Sequence, residues 1–207
     1  DHAVQHAMFS LRNPLADRTM AALSAIGSAP VLGTGAIAAL GWLAWRKRWM
    51  AAAHWLAAIT VGLLITVGLG ASVDMPRPPT ASAGFGFPSI AVTMTTVVFG
   101  FFAVLIAREF PGRQRVWPYL VAGVATALVA FARLYLGAHW LSDVVAGMLL
   151  GVVWVLVLGI AYRRHSTRSF LIRPLVAAFY GAFALALAWH APRSADATLT
   201  EFSPPAP

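Results

Sequence analysis

The sequence contains no cysteine and few charged residues. The absence of cysteine among its 207 residues excludes disulfide bonds and thiolate metal sites, and it leaves no indication of the redox compartment. Only 11% of the residues are charged, whereas 59% are hydrophobic, and the mean hydropathy is +0.74. A soluble domain of this size has no core large enough to bury so much apolar surface. The composition therefore predicts an integral membrane protein.

Six apolar runs are long enough to cross a bilayer. A transmembrane helix needs about 20 apolar residues to span a hydrocarbon core of about 30 Å. The first run contains Pro30 shortly after Gly27, which indicates a short surface helix followed by a shorter span. We therefore predict an all-α, polytopic membrane protein, a bundle of six transmembrane helices at about residues 21–45, 50–70, 89–107, 116–136, 139–162 and 170–190.

The two ends of the sequence are polar by comparison. Asp1 is followed by neither the basic start nor the apolar run of a signal peptide, so we expect a processed or excised piece of a longer chain. Residues 1–20 are interpreted as a polar lead-in, a candidate linker from an upstream membrane domain. Residues 191–207 are polar and end rich in proline, which is typical of a disordered tail. The membrane domain is expected to occupy residues 21–190.

The 15 lysine and arginine residues divide unequally between alternate connections. Six of the seven acidic residues share one side with Arg12, Arg18, Arg77, Arg133 and Arg193. The positive-inside rule makes the other side cytoplasmic, and we expect a multi-pass protein of a bacterial-type inner membrane with both termini outward. Because these basic residues lie in short clusters, a nucleic-acid partner is not expected. The more basic side holds Arg46, Lys47, Arg48, Arg108, Arg113, Arg115, Arg163, Arg164, Arg168 and Arg173.

One outward segment, ARLYLGAHWLSDVVAG (132–147), concentrates ionisable residues at membrane depth. Each ionisable residue in a span costs about 2.5–3.5 kcal/mol and is a functional hypothesis by default. Arg133 alone can snorkel to the interface, and Asp143 alone is favoured near a helix N-terminus. His139 and Asp143 are four residues apart, so on a helix Asp143 can accept a hydrogen bond from His139 and fix its tautomer. Their clustering, together with Arg77 and Ser89 from the proline-rich connection before the third span, favours a site that binds phosphate.

The segments RPP, FPS and ARLYLGAHWLSD resemble the signature of the type 2 phosphatidic acid phosphatase superfamily, membrane lipid phosphate phosphatases related to vanadium haloperoxidases. That signature reads K-x6-R-P, then P-S-G-H, then S-R-x5-H-x3-D. The resemblance implies that His139 is a nucleophile that forms a phosphohistidine and that Asp143 orients it. It also implies that Arg77, Arg133 and Ser89 bind the substrate phosphate, with no metal and no cofactor.

Four positions depart from this signature. Gly70 stands where the signature has lysine, Ile90 and Ala91 stand in place of the glycine and histidine of P-S-G-H, and Ala132 replaces the serine. The missing lysine and serine remove hydrogen bonds to an anion, each worth about 1.5–3 kcal/mol. Ala91 removes the expected general acid, a loss of about 10²- to 10⁴-fold in rate. A diphosphate loses its leaving group more readily than a lipid alkoxide, so residual activity is expected to favour lipid diphosphates.

Two functions therefore stay open. The first is a lipid phosphate or polyprenyl diphosphate phosphatase with reduced activity. The second is a catalytically inactive relative that binds lipid phosphate headgroups or serves as a partner domain of a fused membrane protein. His2, His6 and His190 are candidates for replacing the lost acid. The expected partners are a lipid phosphate or polyprenyl diphosphate and membrane lipids, and the sequence leaves a homo-oligomer open.

Overall fold

The computed structural model describes residues 1–73, 75–78, 86–165 and 171–202, and the regular secondary structure of these residues is entirely helical. A 3-10 turn, Gly112–Val116, precedes the sixth helix. The helices are α1 (His2–Ser10), α2 (Pro14–Ala25), α3 (Ala29–Trp45), α4 (Trp49–Ser72), α5 (Ile90–Ala107), α6 (Trp117–Tyr135), α7 (Leu141–His165) and α8 (Ile172–Glu201).

The six predicted spans are all present as helices of sufficient length and hydropathy to cross a membrane. The first comprises α2 and α3, which are separated by a short break before Pro30, so the predicted division of this run is confirmed. This run begins at Pro14 rather than at residue 21. The Asn13 side chain caps α2 by accepting from the Ala16 N–H at 2.9 Å, and a proline is well suited to the first helical turn.

Helix α5 lies at the centre of the bundle, and 83% of its residues are buried. It packs against α4, α6 and α7. In the half of the bundle away from Ser89, Phe102 stacks on Phe179 of α8 at a centroid distance of 4.1 Å. Trp55 of α4 packs edge-on against Phe102, and its indole N–H donates to the Ala36 carbonyl at 3.0 Å. These aromatic contacts hold α5 in the centre of the bundle, with the other spans packed around it.

Helix α7 approaches α5 closely along a pair of glycines. A Cβ atom on Gly147 would lie 2.9 Å from the Thr93 hydroxyl oxygen, and one on Gly151 would lie 2.7 Å from the Thr96 Cβ. Spacing of small residues by four positions lets two helix backbones come together in a membrane. The contact holds the start of α7 against the start of α5, where the second and third signature segments lie.

The disordered tail expected from residue 191 is wrong for residues 191–202. Helix α8 continues through Pro192 to Glu201, and Phe202 is only 2% exposed. Phe202 packs in one cluster with Tyr135 and Leu136 at the end of α6. A polar composition suggested disorder, but a single aromatic anchor provides the apolar contact that the tail as a whole lacks. Residues 203–207 lie outside the described residues.

The lead-in over residues 1–20 is also packed, against the end of α6 and against Phe202. Arg12 donates from Nη1 to the Phe202 carbonyl oxygen at 2.8 Å and pairs through Nε with Asp17 at 3.3 Å. The Tyr135 hydroxyl donates to the Asp17 carboxylate at 2.9 Å. The two polar ends of the described chain therefore meet on the end of α6, next to Arg133.

Candidate active site

The turn after α6 determines how Arg133 and His139 are spaced. The backbone N–H of Gly137 donates to the Leu134 carbonyl and that of Ala138 donates to the Arg133 carbonyl, both at 3.0 Å. These two bonds form a Schellman motif, which ends a helix with a left-handed residue. Gly137 has φ +70°, a conformation that strains any residue with a Cβ. The five residues between Arg133 and His139 thus complete the last turn of α6 and form its C-terminal cap.

The His139 ring is held by a backbone carbonyl. Its Nδ1 atom lies 3.0 Å from the Gly86 carbonyl oxygen, and the side chain is buried, with the residue 7% exposed. A carbonyl oxygen can only accept a hydrogen bond, so Nδ1 carries the proton and Nε2 has a free lone pair. Burial lowers the pKa of His139 below its ordinary value, the guanidinium groups of Arg133 and Arg77 lower it further, and the Asp143 carboxylate opposes the shift. The ring is therefore neutral, and the lone pair of Nε2 is free.

Asp143 has a different partner from the one expected. Its Oδ2 atom lies 3.7 Å from His139 Nδ1, too far for a hydrogen bond, and instead accepts from the Trp140 backbone N–H at 2.9 Å. Asp143 is the third residue of α7, and a carboxylate at this position commonly reaches back to the N–H of the capping residue. The predicted hydrogen bond from His139 to Asp143 is thus replaced by the one to Gly86. Asp143 remains within electrostatic range of the ring.

Two contacts hold the segment that contains Arg77 next to the His139 ring. The Trp140 indole N–H donates to the Pro76 carbonyl at 2.9 Å. A Cβ atom on Gly86 would lie 2.5 Å from the Met75 carbonyl oxygen, so only glycine allows the backbone to approach this closely. The chain segments on either side of the connection between α4 and α5 therefore touch, which brings Arg77 and the Gly86 carbonyl to the His139 ring.

A cavity of about 660 Å³ brings three of the five predicted site residues together: Arg77, Arg133 and His139 all line it. Ser89 and Asp143 are completely buried and do not line it. The Ser89 hydroxyl, Arg133 Nε and Asp143 Oδ1 are buried without hydrogen-bond partners. Two guanidinium groups and a neutral imidazole at one cavity can form an anion site, with a nitrogen lone pair beside it.

The cavity also has an apolar wall that extends toward the middle of the bundle. Leu32 of α3, Ile59 and Leu63 of α4, and Met94 and Val98 of α5 line it. Val98 lies more than two helical turns into α5 from Ser89, so the wall continues well beyond the charged groups. The cavity therefore has a cationic end and a hydrocarbon-like end, and its chemistry matches an amphiphile with an anionic head.

The four departures from the signature lie at different depths. Ile90 and Ala91 line the cavity, so the missing glycine and histidine alter the site itself. Gly70 is buried in α4 and Ala132 in α6, and neither residue lines the cavity. The side chain at position 91 is a methyl group, which can neither donate nor accept a proton.

The sequence analysis missed three site residues: Glu201 and Phe202, which line the cavity, and Arg12, which holds Phe202. They come from the two ends that were interpreted as linker and tail, and no local pattern marks them. The histidines considered as substitutes for the lost acid, His2, His6 and His190, do not line the cavity. His2 instead packs edge-on against the Trp140 ring, at a centroid distance of 4.8 Å.

Comparisons with known proteins agree on one family. A family model described as the PAP2 superfamily matches residues 71–170. Phosphatidylglycerophosphatase B of Bacillus subtilis is 28% identical over 160 residues, which cover 74% of this chain and 78% of the relative. A putative undecaprenyl-diphosphatase of Escherichia coli is 28% identical over 102 residues, 46% of this chain and 49% of the relative, so the chain spans about half of that protein.

The fold has a counterpart among solved structures. The crystal structure of a transmembrane PAP2-type phosphatidylglycerolphosphate phosphatase from Bacillus subtilis superposes with a TM-score of 0.72. The match covers 81% of this chain and 86% of that one, at 24% sequence identity. The predicted six-helix membrane bundle is confirmed by this likeness.

Proposed function

We propose that this chain, which a model of the PAP2 superfamily matches over residues 71–170, is a membrane lipid phosphatase that transfers a phosphoryl group from a lipid phosphate or diphosphate to Nε2 of His139. The observation that carries the proposal is the 3.0 Å contact of His139 Nδ1 with the Gly86 carbonyl, beside two arginines on one cavity. That contact leaves Nε2 unprotonated, as attack on phosphorus requires.

Arg77 and Arg133 bind the phosphate in this proposal. The phosphoryl group carries its charge over three oxygens in the transition state, so catalysis relies on positioning and on cationic stabilisation. The Arg133 Nε, buried without a partner, is a donor that an anion in the cavity would satisfy. Ser89, whose buried hydroxyl is also without a partner, is the third proposed ligand.

Asp143 acts as a positioning residue. It fixes the start of α7 through the Trp140 N–H, and its negative charge 3.7 Å from Nδ1 stabilises the imidazolium that forms when Nε2 is phosphorylated.

The preferred substrate of this site is a lipid diphosphate, such as a polyprenyl diphosphate. Ala91 provides no proton for a departing alkoxide, whereas a lipid monophosphate leaves from a diphosphate without one. The apolar wall of the cavity supports a substrate with a hydrocarbon chain. The name of the Escherichia coli relative points to the same substrate class.

Phosphate release from the purified protein tests this proposal. In detergent, the protein is expected to release phosphate from polyprenyl diphosphate faster than from phosphatidic acid, and His139→Ala is expected to abolish release. His165→Ala, which removes an exposed histidine at the end of α7 remote from the site, is the matched control and should have no effect. Equal rates for the two lipids would contradict the diphosphate preference. No release above the His139→Ala level, with headgroup binding that weakens on Arg133→Ala, would favour the inactive relative.

The outward position of the site is a further part of the proposal, supported by the excess of basic residues in the opposite connections. Since the chain has no cysteine, Ser10→Cys and Arg164→Cys introduce single thiols at exposed positions near the two ends of the bundle. A membrane-impermeant maleimide should label the first in intact cells and the second only after permeabilisation. The opposite pattern would place the site on the cytoplasmic face.

A further inference from the structure

The end of α8 brings a carboxylate to the cavity that holds His139. Glu201 is the last residue of α8, and it lines the cavity together with Arg77, Arg133 and His139. Its charge interacts with the Arg133 guanidinium. The Glu201 side chain is exposed and belongs to the same cavity as the anion site.

The residue after Glu201 fixes its position. Phe202 is 2% exposed and packs against the turn that leads from α6 to His139. Its carbonyl oxygen accepts a hydrogen bond from Arg12 Nη1 at 2.8 Å, and Arg12 is itself paired with Asp17. An apolar anchor and a charge-assisted hydrogen bond thus hold the chain on the residue adjacent to Glu201.

Helix stability does not explain a glutamate at this position. The C-terminal end of a helix carries a partial negative charge and favours cations, so a carboxylate in the last residue of α8 is unfavourable for the helix. The interaction with Arg133 lies outside the helix and faces the cavity. The placement is accounted for by the site rather than by α8.

The cavity contains one carboxylate among its described lining residues. The other titratable groups there are Arg77 and Arg133, which are permanently cationic, and His139, which is the proposed nucleophile. Position 91, where the family signature has histidine, is alanine. Among the described lining residues, Glu201 is therefore the one side chain besides His139 that can take up a proton.

We propose that Glu201 is the general base for the second half of the reaction, the hydrolysis of the phosphohistidine; this rests on the function proposed above. A water molecule attacks the phosphorus atom, and its proton passes to the Glu201 carboxylate. The bond between phosphorus and Nε2 breaks, its electron pair returns to Nε2, and inorganic phosphate leaves. Protonated Glu201 then loses its proton to solvent, which restores both groups.

The chemistry of the two half-reactions favours a base rather than an acid. An ionised carboxylate can accept a proton but cannot donate one, and a lipid diphosphate needs no donated proton for its leaving group. Attack by water on a phosphoryl group does require removal of a proton. Glu201 thus supplies the half of the missing histidine's role that a diphosphate substrate still requires.

Rapid-quench measurement of the two half-reactions tests the proposal. With polyprenyl diphosphate labelled at the terminal phosphorus, Glu201→Gln is expected to form phosphoenzyme at a rate within a few-fold of the wild-type protein. Release of inorganic phosphate should fall by about 10²-fold or more, so labelled protein accumulates. Asp196→Asn removes an exposed carboxylate from the same helix, outside the cavity, and should leave both rates unchanged.

A second variant tests the role of the carboxylate without introducing a glutamine side chain. Glu201→Ala leaves space for a small carboxylate, and added formate is expected to restore phosphate release without changing the rate of phosphoenzyme formation. Equal turnover of Glu201→Gln and the wild-type protein would overturn the proposal. So would faster phosphoenzyme formation in Glu201→Gln, since the carboxylate would then be an inhibitory mimic of the phosphate. A wild-type protein that forms no phosphoenzyme would instead overturn both this proposal and the proposed function.

Discussion

The Nδ1 atom of His139 is closer to the backbone carbonyl of Gly86, at 3.0 Å, than to the carboxylate of Asp143, at 3.7 Å. The tautomer of this histidine is therefore fixed by the main chain of the α4–α5 connection. The Asp143 carboxylate accepts instead from the Trp140 N–H, and in the proposed reaction it stabilises a positively charged ring from a distance.

Asp143→Asn is accordingly expected to cost only about tenfold in kcat, or about 1.4 kcal/mol. The asparagine oxygen can still accept from the Trp140 N–H, and the Gly86 carbonyl still holds the proton on Nδ1. Where an aspartate alone fixes the tautomer, the same change costs about 10⁴-fold. Steady-state kinetics with polyprenyl diphosphate decide between these values, and a loss near 10⁴-fold would contradict the role given to Gly86.

Gly86→Ala is expected to abolish activity while the bundle stays folded. The new Cβ would lie 2.5 Å from the Met75 carbonyl oxygen, so the two chain segments must separate, and the Gly86 carbonyl must leave Nδ1. Gly68→Ala is the matched control, because a Cβ there meets nothing within 4 Å. Activity and thermal unfolding in detergent measure both effects. Normal activity in Gly86→Ala would show that the close approach is not required.

Trp140→Phe is expected to raise KM by about two- to tenfold with little change in kcat. The change removes the hydrogen bond to the Pro76 carbonyl, worth about 0.5–1.5 kcal/mol, and so loosens the segment that carries Arg77. Trp154→Phe removes an equivalent bond, from the indole to the Ala58 carbonyl at 2.9 Å, within the bundle. That control should lower thermal stability without altering KM. An equal rise of KM in both variants would show that the effect is not local to Arg77.

Much of this arrangement can be predicted from the sequence. The rest cannot, because it depends on contacts between residues that are far apart in the chain. Six long apolar runs predict six spans, and the spacing of Arg133, His139 and Asp143 predicts a phosphate site, because both signals are local. The partner of His139 is a backbone carbonyl 53 residues away, which no side-chain pattern marks. A hydrogen bond across 190 residues, from Arg12 to Phe202, is equally invisible in a polar tail.

The burial of His139 gives a pH dependence that can be measured without substrate. Its pKa is lowered chiefly by burial, so the neutral imidazole persists as the pH falls below the ordinary value of about 6.5. Carbethoxylation by diethylpyrocarbonate requires the neutral ring, and mass spectrometry resolves its rate at each histidine. The midpoint for His139 is expected below the ordinary value of about 6.5. A midpoint above 6.5 would contradict a desolvated, neutral His139 ring.

The identity and attachment atom of the phosphorylated residue test the central claim most directly. Wild-type protein mixed with polyprenyl diphosphate, quenched in alkali and digested, is expected to yield one phosphohistidine, in the peptide that contains His139, with phosphorus bonded to Nε2. Fragmentation mass spectrometry assigns the residue, and phosphorus NMR of the phosphopeptide assigns the nitrogen. Phosphorus on Nδ1 would contradict the hydrogen bond to Gly86, and phosphate release without any phosphohistidine would contradict the role of His139 as nucleophile.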